Sequence, residues 1–170
     1  MIKSISKRLL HIGQQFPATR ATFVFGHKGK YQNYQNLETT QFLQDKKVVL
    51  VGFQGEFIPQ GTEMYLPDYV KLHKEFQKKE CLVLVLTIDS AEKCQELGER
   101  FGGNLIFLAD ENAKISQELN AAADLTERGF GLKTKRFSAL LEKGTITKLN
   151  EEIGTGMTKT SKALTILQEL

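Results

Sequence analysis

Three stretches of the chain are apolar almost without interruption, and between them the apolar residues recur every three or four positions. Lys47-Val-Val-Leu-Val-Gly-Phe53, Cys81-Leu-Val-Leu-Val-Leu-Thr-Ile88 and Leu105–Ala109 leave no regular polar position to turn towards water. Runs of this kind predict strands covered on both faces, the condition of the centre of an α/β sheet. Between the first two, Tyr65, Leu66, Tyr69, Val70, Leu72 and Phe76 fall on one broad helical face opposite Lys71, Lys74, Gln77 and Lys78. That spacing predicts a helix over Thr62–Lys79, kinked at Pro67, whose ring removes a backbone hydrogen bond. Ala91, Cys94, Leu97 and Phe101 predict another helix, ended by Gly102-Gly103. Ala21–Phe25 and Gly29–Tyr31 read as a short hairpin, Leu37–Leu43 as a helical turn, and Ala113–Leu119 as a helix. Arg136–Glu142 and Thr145–Leu149, joined at Lys143-Gly144, read as a second hairpin, and Ser161–Leu170 as the last helix. The order predicts an α/β sandwich, a mixed central sheet with helices on both faces.

The opening residues behave differently. Ile2, Ile5, Leu9, Ile12 and Phe16 form a helical stripe opposite Ser4, Ser6, Lys7 and His11. The net charge of +3 is +6 over residues 1–30, which hold no acid, and −3 over the rest. An amphipathic, basic, acid-free leader describes a mitochondrial presequence, so residues 1–21 are expected to be a presequence-like extension and 22–170 one domain. The mildly acidic body lacks the basic, aromatic-interleaved face of a nucleic-acid binder. No run approaches the ~20 apolar residues needed to span a bilayer. His11, His27 and His73 lack metal-ligand spacing, so neither metal nor cofactor is expected. Gly154-Thr-Gly156 lacks the context of a phosphate loop and reads as a turn. Cys81 and Cys94 are too few for a disulfide framework.

The stretch Gln54-Gly-Glu-Phe-Ile-Pro-Gln-Gly61 follows the first buried strand and is itself followed by Leu66-Pro67-Asp68. Further on stand Lys135-Arg-Phe-Ser138, Lys143-Gly-Thr-Ile-Thr-Lys-Leu-Asn150 and Gly154-Thr-Gly-Met-Thr158. In this order and register the chain, from about Thr22 to Leu170, resembles an atypical type-II peroxiredoxin. The resemblance implies a thioredoxin-like fold and a site made by P-G-A-F-T-P-x-C and the arginine of K-R-F-S. At the positions of the motif proline, threonine and cysteine this sequence has Gln54, Ile58 and Gly61, and it keeps the arginine as Arg136. Glycine cannot attack a peroxide, and isoleucine cannot hydrogen-bond one.

These departures lead to the expectation of a catalytically inactive, peroxiredoxin-like accessory subunit of a large mitochondrial complex, favouring the respiratory chain. It would sit in the matrix or at the periphery of the inner membrane, and a dimer-type contact would lie near the old active-site loop. Arg136 would pair with Glu56 or another acid, and Cys94 would be a small buried hydrophobe on its helix stripe. The alternatives are a thiol-dependent peroxidase or redox protein using Cys94 or Cys81, a pocket lined by Phe57, Ile58 and Arg136 for a small anion, and a subunit of the mitochondrial ribosome.

Overall fold

The computed structural model describes residues 9–27, 30–55, 65–101, 104–152 and 160–170. The chain begins with strands β1 (Arg20–His27) and β2 (Lys30–Glu38), then helix α1 (Thr39–Leu43) and strand β3 (Lys47–Gly52). Helices α2 (Leu66–Lys71) and α3 (His73–Lys78) lead to β4 (Cys81–Thr87), α4 (Ala91–Phe101), β5 (Ile106–Ala109) and α5 (Lys114–Glu118). Short strands β6 (Ala122–Asp124) and β7 (Leu132–Thr134) precede the hairpin of β8 (Phe137–Glu142) and β9 (Thr145–Glu151), and α6 (Ala163–Gln168) follows.

The three uninterrupted apolar runs are β3, β4 and β5, lying parallel with β4 between its two partners. β8 adds antiparallel to β3 and β1 antiparallel to β5, so the sheet order is β2-β1-β5-β4-β3-β8-β9. Side chains of a strand alternate between faces, and here each face buries its own core. Val49, Val51, Phe53, Val83 and Val85 meet Leu66, Tyr69, Phe76, Cys94, Leu97 and Ile166 from the helices of one layer. Val48, Leu50, Leu84 and Leu86 meet Leu43, Ile115 and Leu119 on the other face, together with Leu10 and Phe16.

Four expectations are corrected. The hydrophobic stripe of the opening residues predicts a helix, yet residues 9–19 run as a non-helical strap over the β8–β9 hairpin. The Gly13 and Phe16 N–H groups donate to the carbonyls of Ile146 and Gly144, and the Ile146 N–H donates to that of Gln14. Those bonds occupy the backbone that a helix would use, with Gly13 at φ +88° and Pro17 just beyond. Leu9 and Ile12 of the stripe face solvent, while Phe16 and the off-stripe Leu10 are buried. The break between α2 and α3 falls at Leu72 (φ −91°, ψ 3°), not at Pro67, which sits in the first turn where its missing N–H costs nothing. The first hairpin is longer than expected, and β6 and β7, too short and polar to register as a pattern, form a separate two-stranded ribbon. Residues 1–8, the Gly102-Gly103 helix stop and the Gly154–Thr158 segment lie outside the described residues.

One contact sets how closely α4 approaches the sheet. Gly98, in the middle of α4, lies against the ring of buried Tyr31 from β2, and a Cβ there would stand 2.4 Å from the ring. Glycine costs a helix about 1 kcal/mol against alanine, a cost kept here because only hydrogen fits. Gly98→Ala is therefore expected to destabilise the protein by about 1–3 kcal/mol despite its better helix propensity, measured as a lower midpoint in urea unfolding.

Candidate functional site

Several buried polar groups gather at the carboxyl end of β3. Gly52 pairs with Phe137 across the antiparallel ladder to β8. A Cβ at Gly52 would stand 2.2 Å from the Lys135 carbonyl oxygen and 2.4 Å from the Phe137 ring, so glycine lets the approach to β8 run directly over the strand end. Next, the Phe53 N–H donates to the Leu86 carbonyl at 2.9 Å, which holds the chain against β4 beyond the last ladder pair. Gln54 follows, only 3% exposed, and its Oε1 has no hydrogen-bond partner among the described residues. Gly55, at φ +103°, lies against the Asp89 carboxylate, with Lys133 Nζ close by. Asp89 accepts a hydrogen bond from the Thr87 hydroxyl at 2.6 Å and faces Lys133 at 3.8 Å.

Arg136 sits one residue before β8 and is 1% exposed, the largest of the fully buried side chains. Its carbonyl accepts the Glu152 N–H at 3.0 Å. Two tyrosines one helical turn apart close the site from above. The Tyr65 hydroxyl donates to the Phe137 carbonyl at 2.8 Å and the Tyr69 hydroxyl to the Ser161 carbonyl at 2.7 Å. Their rings meet edge to face at 5.5 Å. Burial pushes both phenols well above their ordinary range, and for Tyr65 the positive charge of Arg136 acts in the opposite direction. Glu152 ties in the approach to α6, accepting from the Thr160 and Ser161 N–H groups at 2.6 and 2.8 Å and from the Ser161 hydroxyl at 3.1 Å. A buried guanidinium is tolerable only among groups that compensate its lost hydration, and the Tyr65 phenol lies within its electrostatic reach.

The β3–β8 register thus brings Gln54 and Arg136 to the same end of the sheet. Glu56, Phe57, Ile58 and Gly61 lie outside the described residues, and with them the expected Arg136–Glu56 pairing. The two cysteines are both buried free thiols at opposite ends. Cys81 opens β4 opposite Lys47, roughly 20 Å along the strand from the site. Cys94 lies in the first turn of α4, at the carboxyl edge. Ser90 starts this helix, its hydroxyl accepting the Lys93 N–H at 3.2 Å and its carbonyl the Cys94 N–H at 3.0 Å. Burial raises the Cys94 thiol well above its usual value, and the charges of Asp89 and Glu92 add to this. Among the described residues no group of three or more His, Cys, Asp or Glu side chains is placed to hold a metal ion. No helix among them is long and apolar enough to cross a membrane. Sequence reasoning missed Asp89, Lys133 and Glu152 altogether, and it read Tyr65 and Tyr69 only as parts of an apolar stripe. The i, i+4 spacing placed both rings correctly but carried no sign that their hydroxyls end on Phe137 and Ser161.

Comparison with known proteins fits this geometry. The family profile described as Redoxin matches residues 11–167. A Candida boidinii protein named "Putative peroxiredoxin-B" is 29% identical over 163 residues, covering 93% of this chain and 96% of its own length. Peroxiredoxin-2C of Arabidopsis thaliana is 26% identical over 139 residues, 80% of this chain and 85% of that one. The crystal structure of reduced Prx3 from Vibrio vulnificus in complex with hydrogen peroxide superposes with a TM-score of 0.80 at 27% identity, covering 95% of this chain and 99% of that one. The fold is the thioredoxin-like sandwich of peroxiredoxins. Relatives named as peroxiredoxins, one of them holding a peroxide, overturn the expectation of an inactive accessory subunit of a respiratory-chain assembly. The alternative, a thiol-dependent peroxidase or redox protein, agrees with them, and both of its cysteines are present in the folded core.

The environment of Cys81 makes a direct prediction. Burial, the largest effect, pushes its thiol from 9.0 up to about 11. The thiol form is therefore expected to persist through pH 9 and 10, with the Cβ carbon resonance of Cys81 titrating at a midpoint near 11. A midpoint near 9 would show a sulfur in contact with water.

Proposed function

The chain belongs to the redoxin family, and from that membership we propose that it is a thiol-dependent peroxidase whose reacting sulfur is Cys94. The observation that carries the choice of cysteine is position. Cys94 stands in the first turn of an 11-residue helix, at the same edge of the sheet as Arg136 and Gln54, whereas Cys81 lies at the far end of β4. The amino end of a helix carries partial positive charge that favours a thiolate. In the closed fold this advantage is unused, because the sulfur is fully buried beside Asp89 and Glu92 and stays protonated. Reaction accordingly requires the first turn of α4 to open, which admits water and returns the thiol towards its ordinary range.

The chemistry then balances as follows. The Cys94 thiol gives its proton to solvent, and the thiolate attacks one oxygen of ROOH. The O–O bond breaks, ROH leaves after taking up a proton, and the sulfur becomes a sulfenic acid. Two external thiols restore it: the first displaces water to form a mixed disulfide, and the second reduces that disulfide and leaves as the oxidised pair. Arg136, buried at this edge, supports the developing negative charge on the leaving oxygen.

The test is peroxide consumption by the purified protein with dithiothreitol. Turnover above buffer is expected for the native chain and for Cys81→Ser, with loss of at least about tenfold in both Cys94→Ser and Cys94→Ala. No turnover in the native protein, or turnover indifferent to residue 94, overturns the reading.

The basic, acid-free residues 1–21 support a mitochondrial address, while Leu10 and Phe16, buried in the core, belong to the domain itself. A fusion of residues 1–21 to a fluorescent protein is expected to colocalise with a mitochondrial dye; a diffuse cytosolic signal rejects that address.

A further inference from the structure

We propose that the turn at residues 11–14, together with the basic stretch that leads into it, is a docking surface for an anionic lipid bilayer. The inference is independent of the peroxidase reading. Among the described residues three large apolar side chains stand in solvent, and two of them, Leu9 and Ile12 at 63% and 62% exposure, lie three positions apart on the strap. The third, Leu164, belongs to α6 in the opposite layer. Single exposed apolar residues are ordinary, but these two are held outward by a built turn. The Gln14 N–H donates to the His11 carbonyl at 3.3 Å and the His11 N–H to Gln14 Oε1 at 3.2 Å, while Gly13 supplies the positive φ. The His11 ring donates to the Leu9 carbonyl at 2.9 Å. Ile12 thus occupies a turn corner, a place that favours proline or polar residues. The bonds of Gly13 and Phe16 to the β8–β9 hairpin fix that corner to the body.

Folding leaves the apolar stripe of the opening residues largely unspent. Of Leu9, Ile12 and Phe16, only Phe16 enters the core, beside the off-stripe Leu10. In the sequence Ile2 and Ile5 continue the same spacing with Lys3, Lys7 and Arg8 among them, and residues 1–30 contain no acid. On the body, a cleft of about 290 Å³ beside the strap has Gln15, Thr40, Gln41, Gln44 and Lys143 as its polar lining, one cation and no carboxylate. Aliphatic side chains projecting from a basic, acid-free surface supply the two parts of peripheral membrane binding. The cations collect at anionic headgroups, and the leucine and isoleucine enter the boundary with the acyl chains. A soluble acidic partner would answer the cations alone, whereas a bilayer answers cations and aliphatic side chains in one contact.

The test is co-flotation of the full purified chain with lipid vesicles. Mixed phosphatidylcholine and phosphatidylglycerol vesicles are expected to bind it at least about tenfold more tightly than phosphatidylcholine alone, and added salt is expected to weaken that binding. Leu9→Ser with Ile12→Ser is expected to weaken it at least about tenfold. Both side chains are already exposed in the fold, so the urea midpoint of this variant should stay unchanged, which separates lost docking from lost folding. Leu164→Ser, on the other layer, is expected to bind as the native chain does. Lys7→Glu with Arg8→Glu is expected to abolish the preference for phosphatidylglycerol. Equal affinity for the two kinds of vesicle, binding to neither, or binding by the serine variant as tight as that of the native chain overturns the proposal. Peroxide turnover is a separate property, and the serine variant is expected to keep it.

Discussion

The close approach of β8 to the end of β3 at Gly52 is the constraint on which the site depends. No side chain larger than hydrogen fits between Gly52 and the Lys135 carbonyl, and this lets the chain bring Arg136 into a fully buried position beside the turn that carries Gln54. A Cβ at residue 52 would push the strands apart at the point where they converge. The ladder from Lys47–Glu142 to Gly52–Phe137 then fixes the register, and a slip by one residue would turn Arg136 to the opposite face. The backbone thus decides which polar groups meet, before any side-chain interaction is counted.

The buried polar groups at this edge are costly individually and sustain one another collectively. Tyr65 and Tyr69 spend their hydroxyls on main-chain carbonyls of Phe137 and Ser161, anchoring α2 to both the β8 strand and the approach to α6. Glu152 gathers three donors from residues 160 and 161. The result is a rigid setting for Arg136, whereas Cys94 belongs to a helix start whose stability rests on the Ser90 cap and on apolar packing. The contrast is one of anchoring: polar bonds hold the elements around the cation, and mostly apolar contacts hold the sulfur.

Much of the fold was legible in the sequence because its central strands are buried on both faces and so lack the polar interruptions that blur a pattern. The Lys135–Ser138 match located Arg136, and the stretch after β3 located Gln54. Other features were not legible because they exist only through tertiary contact. β6 and β7 are three residues each, and their pairing is not written in composition. The strap at residues 13–16 reads as a helix until the hairpin that takes its hydrogen bonds is present. Asp89 and Lys133, 44 positions apart in sequence, meet only because β7 folds back over the end of β4. The expectation of an inert protein failed through weighing one changed motif above the rest of the chain, whose likeness to peroxiredoxins spans almost its whole length.

The strap that lays residues 13–16 along residues 144–146 joins segments 130 positions apart in the sequence. During synthesis, Leu10 and Phe16 leave the ribosome early and must wait, exposed, until the hairpin that shelters them has emerged. Contacts of such long sequence separation slow folding, and waiting apolar surface is what chaperones recognise. Closure of this face of the sheet therefore waits on synthesis of the β8–β9 hairpin, and the strap docks only after it.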